Sequence, residues 1–300
     1  MTDKGWQELR FSTVPDHLDS LESWLFDQGA LAVTLEDNAD EPLLEPGPGE
    51  TPLWQNIKLV ALFETGRDLS PILADVPSQW VTASAAEASF VPDQDWERAW
   101  MADFQPLKMG RRLWICPSWC EPPDPDAVNI HLDPGLAFGT GTHPTTAMCL
   151  AELDASIRPG TNLIDYGCGS GILAIAGLKL DASKAFAVYN DPQAVTATLD
   201  NAQRNAVTQE DLDVFLVSQA DTQARLRPVD LVIANILAGP LEALAPTLVN
   251  LINPGGRLIL AGLLNEQAAG LIATYKPWVA LTAVQEKDGW TLLAGEKLPE

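Results

Sequence analysis

Long apolar runs are missing from this chain. No stretch approaches the roughly 18 consecutive apolar residues of a membrane-spanning helix, and Met1-Thr2-Asp3-Lys4-Gly5-Trp6 lacks the basic-then-apolar pattern of an export signal. No membrane association is expected, and the cytoplasm is the expected compartment. Cysteine is scarce: Cys116, Cys120, Cys149 and Cys168 form no spaced framework of the kind that staples small secreted domains. Cys116 and Cys120 lie four apart with no second Cys or His pair at zinc spacing. His17, His131 and His143 are scattered, so no metal centre is expected. Basic residues are few: 18 Lys and Arg stand against 41 Asp and Glu, for a net charge of −23. Such a surface repels phosphate, which argues against direct nucleic-acid binding, and attracts a basic protein. The imbalance is steepest over residues 1–93, with 17 acids and 4 bases, against 24 and 14 beyond. The same acidity also serves solubility. There is no internal repeat, and compositional bias is confined to the acidic, proline-rich loop at 40–53.

What is present is ordinary globular composition, 46% hydrophobic and 20% charged, in a 300-residue chain long enough for two domains. Residues 1–92 read as strand–helix–strand–strand–helix–strand. The strands are expected at 6–14, 30–35, 54–63 and 79–91, and the helices from 15 to Gly29 and over 68–76. Leu18, Leu21 and Leu25, with Trp24 beside them, share one face of the first helix. This order suits a small α+β domain of ferredoxin-like type. Residues 93–104 read as a connecting helix, with Trp96 and Trp100 on one face.

From 105 to 300 the pattern changes. Strands near 113–116 and 128–132 lead to a Gly/Thr-rich loop at 135–146 and a helix over 144–156. Strands at 162–166, 184–189, 212–217, 229–234, 257–261, 278–284 and 289–295 then alternate with helices at 171–181, 192–205, 240–252 and 265–275. That spacing predicts an α/β domain, a Rossmann-like, mostly parallel seven-stranded sheet with helices on both faces. Its last two strands form an antiparallel hairpin through Glu286-Lys287-Asp288-Gly289.

Three segments carry chemistry. In Asn162-Leu-Ile-Asp165-Tyr-Gly167-Cys-Gly169-Ser-Gly171-Ile-Leu-Ala-Ile-Ala, an apolar strand ends in an acid, passes through alternate glycines and enters an apolar helix. Glycine lets the backbone bend sharply against a ligand, and the helix N-terminus offers N–H groups to an anion. The dinucleotide fingerprint G-x-G-x-x-G fails, because Ile172 occupies its sixth position; a nicotinamide enzyme is thereby disfavoured. The Gly/Thr-rich loop offers Thr145 and Thr146 as hydroxyl donors at a ligand. The apolar run Val229-Asp-Leu-Val-Ile-Ala ends in Asn235, at the strand end where parallel sheets bind ligands. Its amide either meets a substrate amine or caps the helix after Gly239-Pro240.

In this order and spacing, the three segments resemble the bacterial ribosomal protein L11 methyltransferases, the PrmA family. The Asp95-Trp96 to Trp119 stretch fits as well. The resemblance implies a class I S-adenosylmethionine-dependent methyltransferase domain behind a ferredoxin-like substrate-recognition domain. It implies N-methylation of lysine side chains and a terminal α-amino group on a basic ribosomal protein, by a cytoplasmic enzyme expected to act as a monomer. It places Thr146, Gly167 and Asn235 around the cofactor; Gly169 in the same turn is a further cofactor candidate, and Asn235 is the candidate catalytic residue, its amide oxygen expected to orient the amine. His143 is the lesser candidate for a base. One position departs from the pattern: Tyr189 stands where the family has an acid for the ribose hydroxyls, and Asp191 either substitutes for that acid or caps the next helix. Other readings are a class I methyltransferase acting on another protein or a small molecule, or a binding module with weakened cofactor affinity.

Overall fold

The structure is a computed structural model that describes residues 5–39, 51–82, 87–92, 104–133, 143–217 and 225–299. The Gly/Thr-rich stretch from 135 to 142, most of the expected connecting helix and most of the acidic loop lie outside the described residues. The chain divides into two compact units, 1–103 and 104–300.

The first unit is a four-stranded antiparallel sheet with helices. Strand β1 (Gly5–Thr13) runs into helix α1 (Pro15–Asp27), followed by β2 (Ala32–Asp37), β3 (Ile57–Glu64), helix α2 (Ser70–Asp75) and β4 (Glu87–Pro92). Their order in the sheet is β2-β3-β1-β4, the split-βαβ arrangement. Helix α1 buries Leu18, Leu21 and Leu25 against Leu9, Phe11, Leu59 and Phe63 of the sheet. The second strand begins two residues later than its composition suggests. Gly29 takes φ +80°, and the Ala30 N–H turns back to the Leu25 carbonyl at 2.9 Å. This C-terminal cap uses up Ala30 and Leu31. The fourth strand is shorter than expected, because residues 78–80 form a 3-10 turn that sets Trp80 edge-on to Trp24, 6.5 Å between centroids.

The second unit opens with β5 (Leu107–Met109), β6 (Leu113–Cys116) and β7 (Val128–His131), a small sheet of its own. Strand β5 escapes sequence reading because three residues show no periodicity. Then follow helix α3 (Pro144–Ser156), β8 (Asn162–Tyr166), α4 (Ile172–Lys179), β9 (Lys184–Tyr189), α5 (Pro192–Arg204), β10 (Leu212–Leu216) and β11 (Val229–Asn235). Helices α6 (Ala238–Ala243) and α7 (Ala245–Asn250), strand β12 (Ile252–Leu264), helix α8 (Ala268–Tyr275), β13 (Thr282–Lys287) and β14 (Trp290–Glu296) complete it. The seven strands lie in the order β10-β9-β8-β11-β12-β14-β13. All pairs are parallel except β12–β14 and β13–β14.

Alternate residues of each central strand serve opposite faces. Leu163, Leu231 and Ile233 pack with α3 and α4, whereas Ile164, Val232 and Ala234 pack with α6, α7 and α8. Both faces are buried, so these strands read as continuous apolar runs. The helix expected over 240–252 is two short helices. Pro246 sits in the first turn of the second, where a proline is accepted, but it cannot continue the helix before it. Strand β13 starts later than expected because the Asp288-Gly289 turn, both residues at positive φ, pairs Lys287 with Trp290 and counts the register back from there.

Candidate active site

The glycine-rich segment closes β8 at the middle of the sheet. Gly167, Gly169 and Gly171 take φ of +91°, +53° and +76°, and Gly171 is the N-cap of α4. At Gly167 the need for glycine is double. Its φ is left-handed, and a Cβ there would strike the Ile236 side chain. The Gly167 and Cys168 N–H groups both donate to the Val188 carbonyl, at 2.8 and 3.1 Å, which staples the turn to β9. From the other side α5 holds it: the Thr198 hydroxyl donates to the Gly169 carbonyl at 3.0 Å and the Asn201 amide to the Ser170 carbonyl at 2.9 Å. Asn205, one turn on, bonds the His131 N–H and carbonyl, both at 2.8 Å.

Asp165 is fully buried. Its Oδ2 accepts the Ala174 N–H of the first turn of α4 at 3.1 Å, whereas Oδ1 is buried without a hydrogen-bond partner among the described residues. Burial pushes this carboxyl up to about 7, against the opposing bond from Ala174. An orphaned acceptor beside a turn of left-handed glycines fits a ligand carrying donors at that point.

Asn235 ends β11 one strand away, paired in register with Ala261 of β12. Its amide nitrogen donates to the Thr146 hydroxyl at 3.4 Å, and its amide oxygen takes no hydrogen bond among the described residues. It does not cap the following helix, whose N-cap is Leu237 with no side-chain bond. The next residue ties this strand end to the glycine turn: the Ile236 side chain presses on Gly167 while its backbone lies against Gly262, where any Cβ would collide with it. The structure therefore brings Thr146, Gly167 and Asn235 together at the C-terminal ends of β8 and β11, in the interior of the sheet.

His143 is the N-cap of α3. Its Nδ1 accepts the Thr145 N–H at 3.3 Å and lies 2.7 Å from the Thr145 hydroxyl, and its ring stands edge-on to Trp290. Burial lowers its pKa. With Nδ1 occupied as an acceptor, the ring proton falls on Nε2, an arrangement for capping rather than for accepting a proton. Asp191 likewise caps a helix, its Oδ1 accepting the Gln193 N–H of α5 at 2.9 Å. Tyr189, the last residue of β9, is half-buried against the core beside α4. Thr198, Asn201 and Ile236 were not singled out in the sequence. The trace they leave there is a polar stripe at 198, 201 and 205 on the buried face of an amphipathic helix.

Comparison with known proteins follows the same outline. The family described as ribosomal protein L11 methyltransferase (PrmA) matches residues 5–298. The chain belongs to this family. Among relatives named ribosomal protein L11 methyltransferase, that of Marinobacter nauticus is 48% identical over 97% of this chain and 98% of its own length. That of Shewanella amazonensis is 47% identical over the same shares. The crystal structure of a ribosomal protein L11 methylase from Lactobacillus delbrueckii subsp. bulgaricus covers 65% of this chain and all of its own. It aligns with a TM-score of 0.59 at 30% identity. The chain is thus a methyltransferase of this family, with the class I sheet and an antiparallel N-terminal sheet before it.

Proposed function

We propose that this chain transfers methyl groups from S-adenosylmethionine to lysine ε-amino and N-terminal α-amino groups of ribosomal protein L11, in the cytoplasm. The observation that carries the reading is Asn235, whose amide oxygen is left open beside the glycine turn while Thr146 holds its nitrogen.

S-adenosylmethionine supplies a methyl group already activated on a sulfonium, so the protein's task is alignment. Gly167 and Gly169 would let the backbone lie against the cofactor. Thr146 would fix the Asn235 amide so that its oxygen accepts a hydrogen bond from the incoming amine and directs the nitrogen lone pair. The amine must be neutral, and a free lysine holds its proton up to a pKa of about 10.4. Burial of the amine in an apolar pocket would favour the neutral form. The first unit, over 1–92, would recognise the substrate, joined through 93–104 to a catalytic domain over 105–300; its acidic charge suits a basic ribosomal protein.

The test is incubation of the purified chain with labelled S-adenosylmethionine and total ribosomal protein. The label is expected on L11 alone, on lysines and the N-terminus by mass spectrometry. Label on another protein, or none on L11, overturns the substrate assignment.

A further inference from the structure

In nucleotide-binding α/β folds, an acid at the end of the second strand, about 20 residues beyond the glycine turn, accepts the ribose hydroxyls. Here that place is the end of β9, and its residue is Tyr189. The geometry holds it close to the turn. Val188, directly before it, receives both the Gly167 and the Cys168 N–H groups, so Tyr189 is the first side chain beyond that staple. Its phenol makes no hydrogen bond among the described residues, and burial, with Asp191 two residues on, holds it in the protonated, neutral form. Asp191, the nearest carboxylate in the chain, has already committed one oxygen to the cap of α5.

We infer that Tyr189 is the ribose-recognition residue of this site, one neutral hydroxyl standing where a carboxylate would offer two charged acceptors. The inference rests on the cofactor reading given above. Charge-assisted hydrogen bonds are about twice as strong as neutral ones, so this chain binds its nucleoside more weakly than the fold allows, and it discriminates less sharply at the ribose. Restoring a carboxylate is then a gain of function, an outcome that a merely structural role for Tyr189 does not produce.

The experiment is calorimetric titration of the full chain with S-adenosylhomocysteine and with its counterpart lacking the 2′-hydroxyl. Wild type is compared with Tyr189→Phe, Tyr189→Asp and Tyr189→Glu, and circular dichroism confirms that each variant is folded. Tyr189→Asp or Tyr189→Glu is expected to tighten the ribose ligand about tenfold and to widen its margin over the deoxy ligand. Tyr189→Phe is expected to weaken the ribose ligand a few-fold and leave the deoxy ligand unchanged. If neither carboxylate variant binds more tightly and Tyr189→Phe affects both ligands equally, Tyr189 does not meet the ribose and the inference is overturned. If no form, wild type included, binds either ligand, the cofactor reading itself falls.

Discussion

Two residues set the chemistry and the tuning of the site. Asn235 is held by a single bond to Thr146, and in the proposed function its open amide oxygen orients the incoming amine. Asn235→Ala is expected to lower kcat about 100-fold while the dissociation constant for S-adenosylhomocysteine moves less than threefold; an unchanged kcat in steady-state methylation would remove the role. Asp165 titrates against its surroundings. Burial raises it to about 7, while the neighbouring thiols stay protonated, with Cys168 pushed up to about 12 and Cys149 well above its ordinary value, both by burial. A carboxyl that is raised in the folded state binds its proton more tightly there than when unfolded. Its contribution is therefore favourable at acid pH and is lost as pH rises from about 4 to about 7, a change of about 4 kcal/mol for a rise of this size. Asp165→Asn keeps an acceptor for the Ala174 N–H and has no charge to bury. Denaturant unfolding should show the variant gaining on the wild type between about pH 4 and pH 7, with the difference level above that. A constant difference would mean that Asp165 does not titrate in that window.

At the scale of elements, the site depends on how strands and helices are clamped. Ile236 is the clamp between β8, β11 and β12, wedged against Gly167 and Gly262. Gly167→Ala is expected to cost about 2 kcal/mol or more, from the left-handed φ and the collision together, and to abolish cofactor binding by calorimetry. A second clamp fixes α3, which carries Thr146. Buried Asp154 accepts the N–H groups of Arg111 and Arg112, at 2.5 and 3.0 Å, and the Arg112 guanidinium at 2.8 Å. Burial alone would raise its pKa, but these bonds outweigh it and leave it lowered. Its stabilisation is therefore present above the ordinary aspartate range and disappears as acid protonates it. Asp154→Ala strands these donors and is expected to cost about 3 kcal/mol, read as a lower midpoint in urea. Much of the element pattern was legible beforehand because both faces of β8, β9 and β11 are apolar and the helices between them are punctuated by Pro and Gly. The missed features were those that a hydrophobic period does not register: the break at Pro246, the delayed start of β2 after its cap, and β5, too short to show a period.

Across the whole molecule, the excess of acid bears on the proposed encounter with a basic substrate. With −23 overall and the densest excess over the first 93 residues, a basic substrate is drawn in at long range, and salt screens that attraction beyond about 10 Å at 0.1 M. Raising sodium chloride from 50 to 500 mM is expected to raise KM for L11 about tenfold while kcat and the affinity for S-adenosylhomocysteine hold nearly constant. Insensitivity of KM to salt would show that recognition is not electrostatic.

The amino-acid sequence by itself determined the alternation of strands and helices, the glycine turn at 167–171, the strand ending in Asn235 and the sign of the surface charge. Each of these is local: a period, a residue's allowed φ, a count of ionised groups. Only the tertiary structure decided that Thr146 reaches Asn235 across 89 positions of chain, and that Thr198 and Asn201 carry the carbonyls of the turn. It also gave Asp191 and His143 to helix caps. Those choices depend on which strands become neighbours. A side chain's hydrogen-bond partner is set by the packing of the sheet, and no window of sequence contains it.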